Sequence, residues 1–163
     1  MMKEPIIEKL KKHIDMLLKV YVGGESYFDK LDDFIKNNPM LWHLLMDRAD
    51  TEFFDGAIFS GEFGGCIVNT DMYFNTETDL IVQGGLRKGI SINLEYCKNK
   101  IKGKKFIFFD DSYYSGKTRN AVKKEIERLG GRLMLTAVVY DGSREKQNDV
   151  VSLFRYYDHY SKA

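Results

Sequence analysis

Four apolar residues, Phe106 to Phe109, run directly into Asp110 and Asp111, and Ser115-Gly116-Lys117-Thr118 follow shortly after. Ionised carboxylates accept hydrogen bonds from vicinal hydroxyls. Turn amides, the Ser115 and Thr118 hydroxyls and a helix start suit a phosphate monoester. Gly116 lets the backbone approach such a ligand closely. A sugar with hydroxyls on one side and a 5'-phosphate on the other matches both halves. The stretch from Asp110 to Thr118, with Ser112, Tyr113, Tyr114 and Lys117 between, therefore reads as a ribose 5-phosphate site. Two rivals share parts of the pattern. A nucleotide-binding P-loop ends in Gly-Lys-Thr but needs glycine where Asp111 stands, and a carboxylate does not belong in a phosphate cradle. A phosphatase aspartate pair would need its second acid at Ser112.

The surrounding pattern is expected to supply the scaffold. Residues 5–21 place Ile6, Ile7, Leu10, Ile14, Leu17 and Leu18 at helical spacing. Ser26 can cap a second helix, and Pro39 can open a third through Leu41 and Leu45. After Asp55 the texture changes. "GAIF" reads as a strand ending in the turn "SGEFGG", "CIVNTDMYF" as a helix, "DLIV" as a strand and "QGGLRKG" as a loop. "ISINLE" alternates like an edge strand, and "KNKIKGKK" is a solvated approach to "FIFF". The spacing predicts a strand ending at Phe109, a helix over 117–129 closed by Gly130-Gly131, and a buried strand "LMLTAVVY". The tail "VVSLFRYYDHY" is expected to pack on the sheet. Strands alternating with helices imply an α/β protein with a mainly parallel sheet flanked by helices, 1–50 forming a helical segment and 51–163 the α/β core of one domain. Ligands of such sheets bind beyond the carboxyl ends of strands, so the turns after Phe59, Phe109 and Tyr140 should converge.

Composition narrows the classes. The 163 residues carry a net charge of +1, which argues against a global field for nucleic acid or membrane. Two cysteines without metal spacing suit a reducing compartment. His13, His43 and His159 show no ligand spacing. No apolar run approaches the ~20 residues of a membrane span, and the first residues are too charged for a signal peptide, so a cytoplasmic location is the default.

The segment from Phe106 to Thr118 resembles the signature of the type I phosphoribosyltransferases: four apolar residues, two acids, then Thr/Ser-Gly-x-Thr. "SGEFGG" is similar to the pyrophosphate loop of the orotate phosphoribosyltransferase-like branch, and "GESYFDKLDDFIKNNPMLWHLL" to its helical hood. "VVYDGSR" resembles the strand whose acid and arginine border the base. The chain departs from that branch in carrying Val22-Gly23-Gly24 in place of Lys-Ser-Gly. Its loop cations are limited to Arg87 and Lys88, and Gly142 and Ser143 intervene before Arg144.

The resemblance implies a type I phosphoribosyltransferase fold with an N-terminal hood, and transfer of ribose 5-phosphate from phosphoribosyl pyrophosphate to a nucleobase, a pyrimidine such as orotate being favoured. Pyrophosphate would leave from Ser60, Gly61, Glu62, Phe63, Gly64 and Gly65. Tyr27, Phe28, Asp141 and Arg144 would take the base. Asp110 and Asp111 would hold the ribose, and Lys88 or Arg87 would close over the leaving group. Mg2+ would arrive with phosphoribosyl pyrophosphate, without direct protein ligands, and the chain would form a homodimer. The alternative is a non-catalytic regulatory protein of the same fold that binds phosphoribosyl pyrophosphate or a nucleotide.

Overall fold

A computed structural model describes residues 3–20, 33–35, 37–38, 40–49, 54–60, 73–83 and 86–159. Six strands form one sheet: β1 (Gly56–Ser60), β2 (Tyr73–Gln83), β3 (Leu86–Asn93), β4 (Lys105–Tyr113), β5 (Arg132–Asp141) and β6 (Val150–Arg155). Their order is β3-β2-β1-β4-β5-β6. Every neighbouring pair is parallel except β2 with β3, which is antiparallel. The helices are α1 (Lys3–Val20), α2 (Met40–Ala49), α3 (Lys98–Ile101), α4 (Lys117–Arg128) and α5 (Tyr156–His159).

The unbroken apolar run of β4 follows from its central place, because a strand covered on both faces has no polar side. Ile107 and Phe109 share one core with Leu10, Ile14, Leu41, Leu45 and Phe154, beneath α1 and α2. Phe106 and Phe108 face the other way, into a core with Ile58, Val122 and Ile126 beneath α4. Each buried phenylalanine contributes about 1.5–3 kcal/mol over leaving it in water. The helix α4 ends where Gly130 takes φ 88°. Gly131 N donates to Ile126 O at 2.9 Å and Gly130 N to Glu127 O at 3.0 Å. This paired closure satisfies carbonyls that the helix end would otherwise orphan.

Several expectations need correction. Strand β4 does not stop at Phe109 but continues through Asp110, Asp111 and Ser112 to Tyr113. Its partner β5 runs equally far, pairing Asp110 with Val138 and Tyr113 with Asp141, and the backbone ladder is indifferent to the acidic side chains. The expected helix "CIVNTDMYF" fails at its end: Tyr73 and Phe74 already belong to β2, paired with Ala57 and Ile58, while residues 66–72 lie outside the described residues. Tyr, Phe and the threonines that follow favour a strand, and the open edge of β1 supplies a partner. Leu86–Gly89 is no loop either. These residues open β3, with Arg87 opposite Val82 and a register irregularity between Ile81 and Val82. The edge strand expected from "ISINLE" is the remainder of β3. The tail does more than pack on the sheet, since Val150–Arg155 is its sixth strand. Helices α1 and α2 cover the sheet face over β5 and β6; residues 21–32 of the hood between them, Tyr27 and Phe28 included, lie outside the described residues.

Candidate active site

The sheet order reverses between β1 and β4: from β1 the chain proceeds outward to β2 and β3, from β4 outward to β5 and β6. At such a switch point the connections leave in opposite directions and open a crevice beyond the carboxyl ends. Register sets the end of β1 beside the middle of β4 and the end of β5 beside the end of β4, while residues 61–72 after β1 lie outside the described residues. Phe59 lies opposite Phe109, and Ser60 is the last residue of β1. Gly142, just past β5, donates its amide to Tyr113 O at 2.8 Å.

Asp110 is 8% exposed, and Asp111 is half-buried. Each carboxylate turns one oxygen back onto its own strand: Asp110 Oδ1 accepts from Asp111 N at 2.8 Å, and Asp111 Oδ1 from Ser112 N at 2.8 Å. Ser112 Oγ also reaches Asp111 Oδ1, at 3.4 Å. Buried carboxylates need such bonds, because unpaired burial is costly. The turn 114–116 then swings into α4. Gly116 takes φ 83° as the N-cap, with no side chain capping the helix. Asn120 N donates to Gly116 O at 2.8 Å, the first helical bond. The first turn contains no acid, and Lys117 and Arg119 stand there. Cations oppose a helix dipole at its positive end, whereas an anion is favoured there. Ser115 and Lys117 are exposed and Thr118 half-buried.

Two aromatic residues support this turn. Tyr113 is buried, and burial pushes its phenol above the usual value, with Arg119 opposing. Tyr114 lies 5.7 Å from Tyr140, which stacks on Phe154 at 5.9 Å.

The end of β5 carries its own polar network. Asp141 is 2% exposed; its Oδ1 accepts from Ser143 N at 2.8 Å and Ser143 Oγ at 2.6 Å, and its Oδ2 lies 3.5 Å from Arg155 Nε. Arg155 Nη2 donates to the carbonyls of Ser143 and Arg144, at 2.8 Å each. Arg144 is exposed, with its guanidinium carbon 6.0 Å from the Tyr157 ring centre. The backbone of Ser60 ends β1, and Gly61, Glu62, Phe63, Gly64 and Gly65 lie outside the described residues. Arg87 and Lys88 are placed only as backbone positions of β3.

Sequence reasoning missed Arg119, Asp149, Ser143 and Arg155. Arg119 had one legible signal, a cation in the first turn of a helix. The other three sit in a connection and a sixth strand whose pairing only the fold reveals.

The mainly parallel sheet flanked by helices is a type I phosphoribosyltransferase-like fold, shared with solved phosphoribosyltransferases. The chain is similar to the purine phosphoribosyltransferase from Pyrococcus horikoshii Ot3, with a TM-score of 0.53 and 16% identity over 71% of this chain and 81% of that one. It is similar to the adenine phosphoribosyltransferase from Thermoanaerobacter pseudethanolicus ATCC 33223, with a TM-score of 0.54 and 19% identity over 74% of this chain and 81% of the other. A third likeness is to UMP synthase from Leishmania donovani, with a TM-score of 0.53 and 12% identity over 79% of this chain and 29% of that protein. By sequence, no protein-family model and no curated protein matches. Among the described residues no helix is long and apolar enough to cross a membrane.

Proposed function

We propose that the chain is a phosphoribosyltransferase that moves ribose 5-phosphate from phosphoribosyl pyrophosphate to a nucleobase and releases pyrophosphate. The observation that carries this is the C-terminal edge of β4: two carboxylates, then an uncapped helix start at left-handed Gly116 whose first turn holds cations and no acid. The solved structures that share the fold are named as phosphoribosyltransferases for purine and adenine, which supports the reaction class.

In this reading the turn from Tyr114 to Thr118 takes the 5'-phosphate on its amides and hydroxyls. Asp110 and Asp111 accept the ribose hydroxyls. Magnesium enters as part of the substrate, bound to the pyrophosphate of phosphoribosyl pyrophosphate. As the bond from C1 to the pyrophosphate oxygen breaks, the electron pair leaves with pyrophosphate and the ring becomes cationic. A base nitrogen then bonds to C1 and its proton passes to solvent. Positioning and charge stabilisation carry such a step, and Lys88 or Arg87 is the group assigned to the growing negative charge. Tyr27, Phe28, Asp141 and Arg144 are assigned to the base. Its identity as a pyrimidine such as orotate rests on the hood resemblance alone.

The second reading, a regulatory protein that binds the same donor without turnover, has one observation in its favour. Arg87 pairs with Val82 in β3 and Lys88 sits at the register irregularity of the same strand, where a catalytic lid calls for a movable segment. One assay separates the two: purine and pyrimidine bases are presented with phosphoribosyl pyrophosphate and pyrophosphate release is followed. Release with one base is expected. Tight donor binding without release for any base would establish the regulator. Asp110→Asn and Asp111→Asn should each weaken ribose 5-phosphate by ~10-fold or more, the scale of a charged hydrogen bond, and leave pyrophosphate affinity nearly unchanged. Equal losses for both ligands would remove the ribose assignment.

A further inference from the structure

The side chain of Arg119 is only 12% exposed although it projects from the first turn of a helix. Each of its three nitrogens donates one hydrogen bond. Nη1 meets Asp149 Oδ2 at 2.7 Å, Nη2 the Tyr113 hydroxyl at 3.2 Å and Nε the Asn120 Oδ1 at 2.8 Å. Its guanidinium carbon also lies 5.6 Å from the Tyr113 ring centre. The planar fork of arginine serves two partners at fixed angles, which a lysine cannot do.

Tyr113 in turn sets the shape of the turn. A Cβ on Gly116 would lie 2.7 Å from the Tyr113 hydroxyl oxygen, so the phenol fills the space against Gly116. The other end of the arginine is anchored to the sheet: Asp149 O accepts from Thr136 N of β5 at 2.8 Å. A chain of contacts thus runs from β5 and the connection 142–149, through Asp149 and Arg119, to Tyr113 and Gly116.

We propose that Arg119 is a positioning residue: it clamps the Tyr113 phenol against Gly116 and so holds the turn 114–118 in the form that presents its amides to a phosphate. The proposal rests on the assignment of that turn as the 5'-phosphate site. It makes Arg119 a strut and not a ligand, because each guanidinium nitrogen is already held by a neighbour in the turn or in the connection after β5. It also ties the phosphate turn to the connection after β5, which carries Arg144.

Hydrogen exchange and ligand titration test it together. Two amides report the clamp without any ligand: Asn120 N, bonded to Gly116 O, and Gly142 N, bonded to Tyr113 O. In Arg119→Lys and Tyr113→Phe, exchange at both should rise about tenfold, the scale of one hydrogen bond. Exchange at Val122 and Ile126, buried on α4, should stay as in the wild type, and ribose 5-phosphate affinity should fall about fivefold to tenfold. Asp149→Asn, approached from the surface side, should give a smaller change of the same pattern and stands in if either first variant fails to fold. Unchanged exchange at Asn120 and Gly142 would overturn the proposal, as would a uniform rise through Val122 and Ile126, which would make Arg119 a support of the whole fold. A wild-type protein that does not bind ribose 5-phosphate would instead overturn the phosphate assignment, and the exchange pattern would still decide whether Arg119 is the clamp.

Discussion

At Gly116 two constraints meet in one residue. Its φ of 83° lies in the left-handed region, and a Cβ would press on the Tyr113 hydroxyl. Gly116→Ala should therefore destabilise the protein by roughly 1–2 kcal/mol from backbone strain alone, measured by urea unfolding. Adding Tyr113→Phe should recover only the part owed to the hydroxyl contact. Full recovery would show that the backbone is not strained. At this scale the sequence was most legible where residue type and order suffice. Acids, hydroxyls and glycine from Asp110 to Thr118 suggest a ribose 5-phosphate site by type and order alone, and they lie on the end of β4 and the start of α4. Arg119 and Asp149 are 30 residues apart, and neither type announces the other. The burial of Asp141 and its engagement by Ser143 and Arg155 were equally invisible, because they depend on β6 lying beside β5.

Between elements, Glu125 ties α4 to the segment after β3. It is 8% exposed, accepts from Leu94 N at 2.9 Å and pairs with Arg128 at 2.7 Å. The hydrogen bond from Arg128 is the main cause that holds its carboxyl below the usual value; burial opposes this, and the Leu94 amide adds to the lowering. A depressed carboxylate contributes stability that is complete above the unfolded-state value near 4.5. That contribution is lost as pH falls through the lower folded value. Glu125→Gln should thus lower stability at neutral pH and flatten its fall below pH 4.5. An unchanged acid slope would show that other carboxylates set it. The hairpin β2–β3 carries a second expectation. Lys88→Ala or Arg87→Ala should reduce turnover by ~10²-fold for the residue that meets the leaving group, with little change in donor affinity. Steady-state rates set beside donor titrations would decide it. A change confined to affinity would favour the regulatory reading. Elements built on apolar runs, β4 and β5, were legible because burial on both faces leaves no ambiguity of period. The start of β2 and the first half of β3 were not: glycines and mixed polarity mimic loops, and their strand state comes from the ladder with β1 and with each other.

For the molecule as a whole, the homodimer expected from the orotate-like resemblance is testable by sedimentation equilibrium. A mass of twice 18.9 kDa at micromolar concentration is the expected result, and a monomer would remove the expectation. The mainly parallel sheet could be inferred from alternating strands and helices, but not where the first helices dock. They dock over β5 and β6, the last strands in sequence, although β1 follows them directly. Arg48 of α2 donates to Ser152 O of β6 at 2.7 Å, 104 residues away, and Leu41 and Leu45 share a core with Phe154. This placement has a consequence for a chain that emerges from the ribosome amino end first. The apolar face of α2 has no complete surface to rest on until β6 has been synthesised. Over most of translation part of it stays uncovered, the state in which nascent chains associate wrongly. A chain that stops short of Phe154 would keep that face open permanently, and the last strand, rather than the first helices, decides when the protein can close.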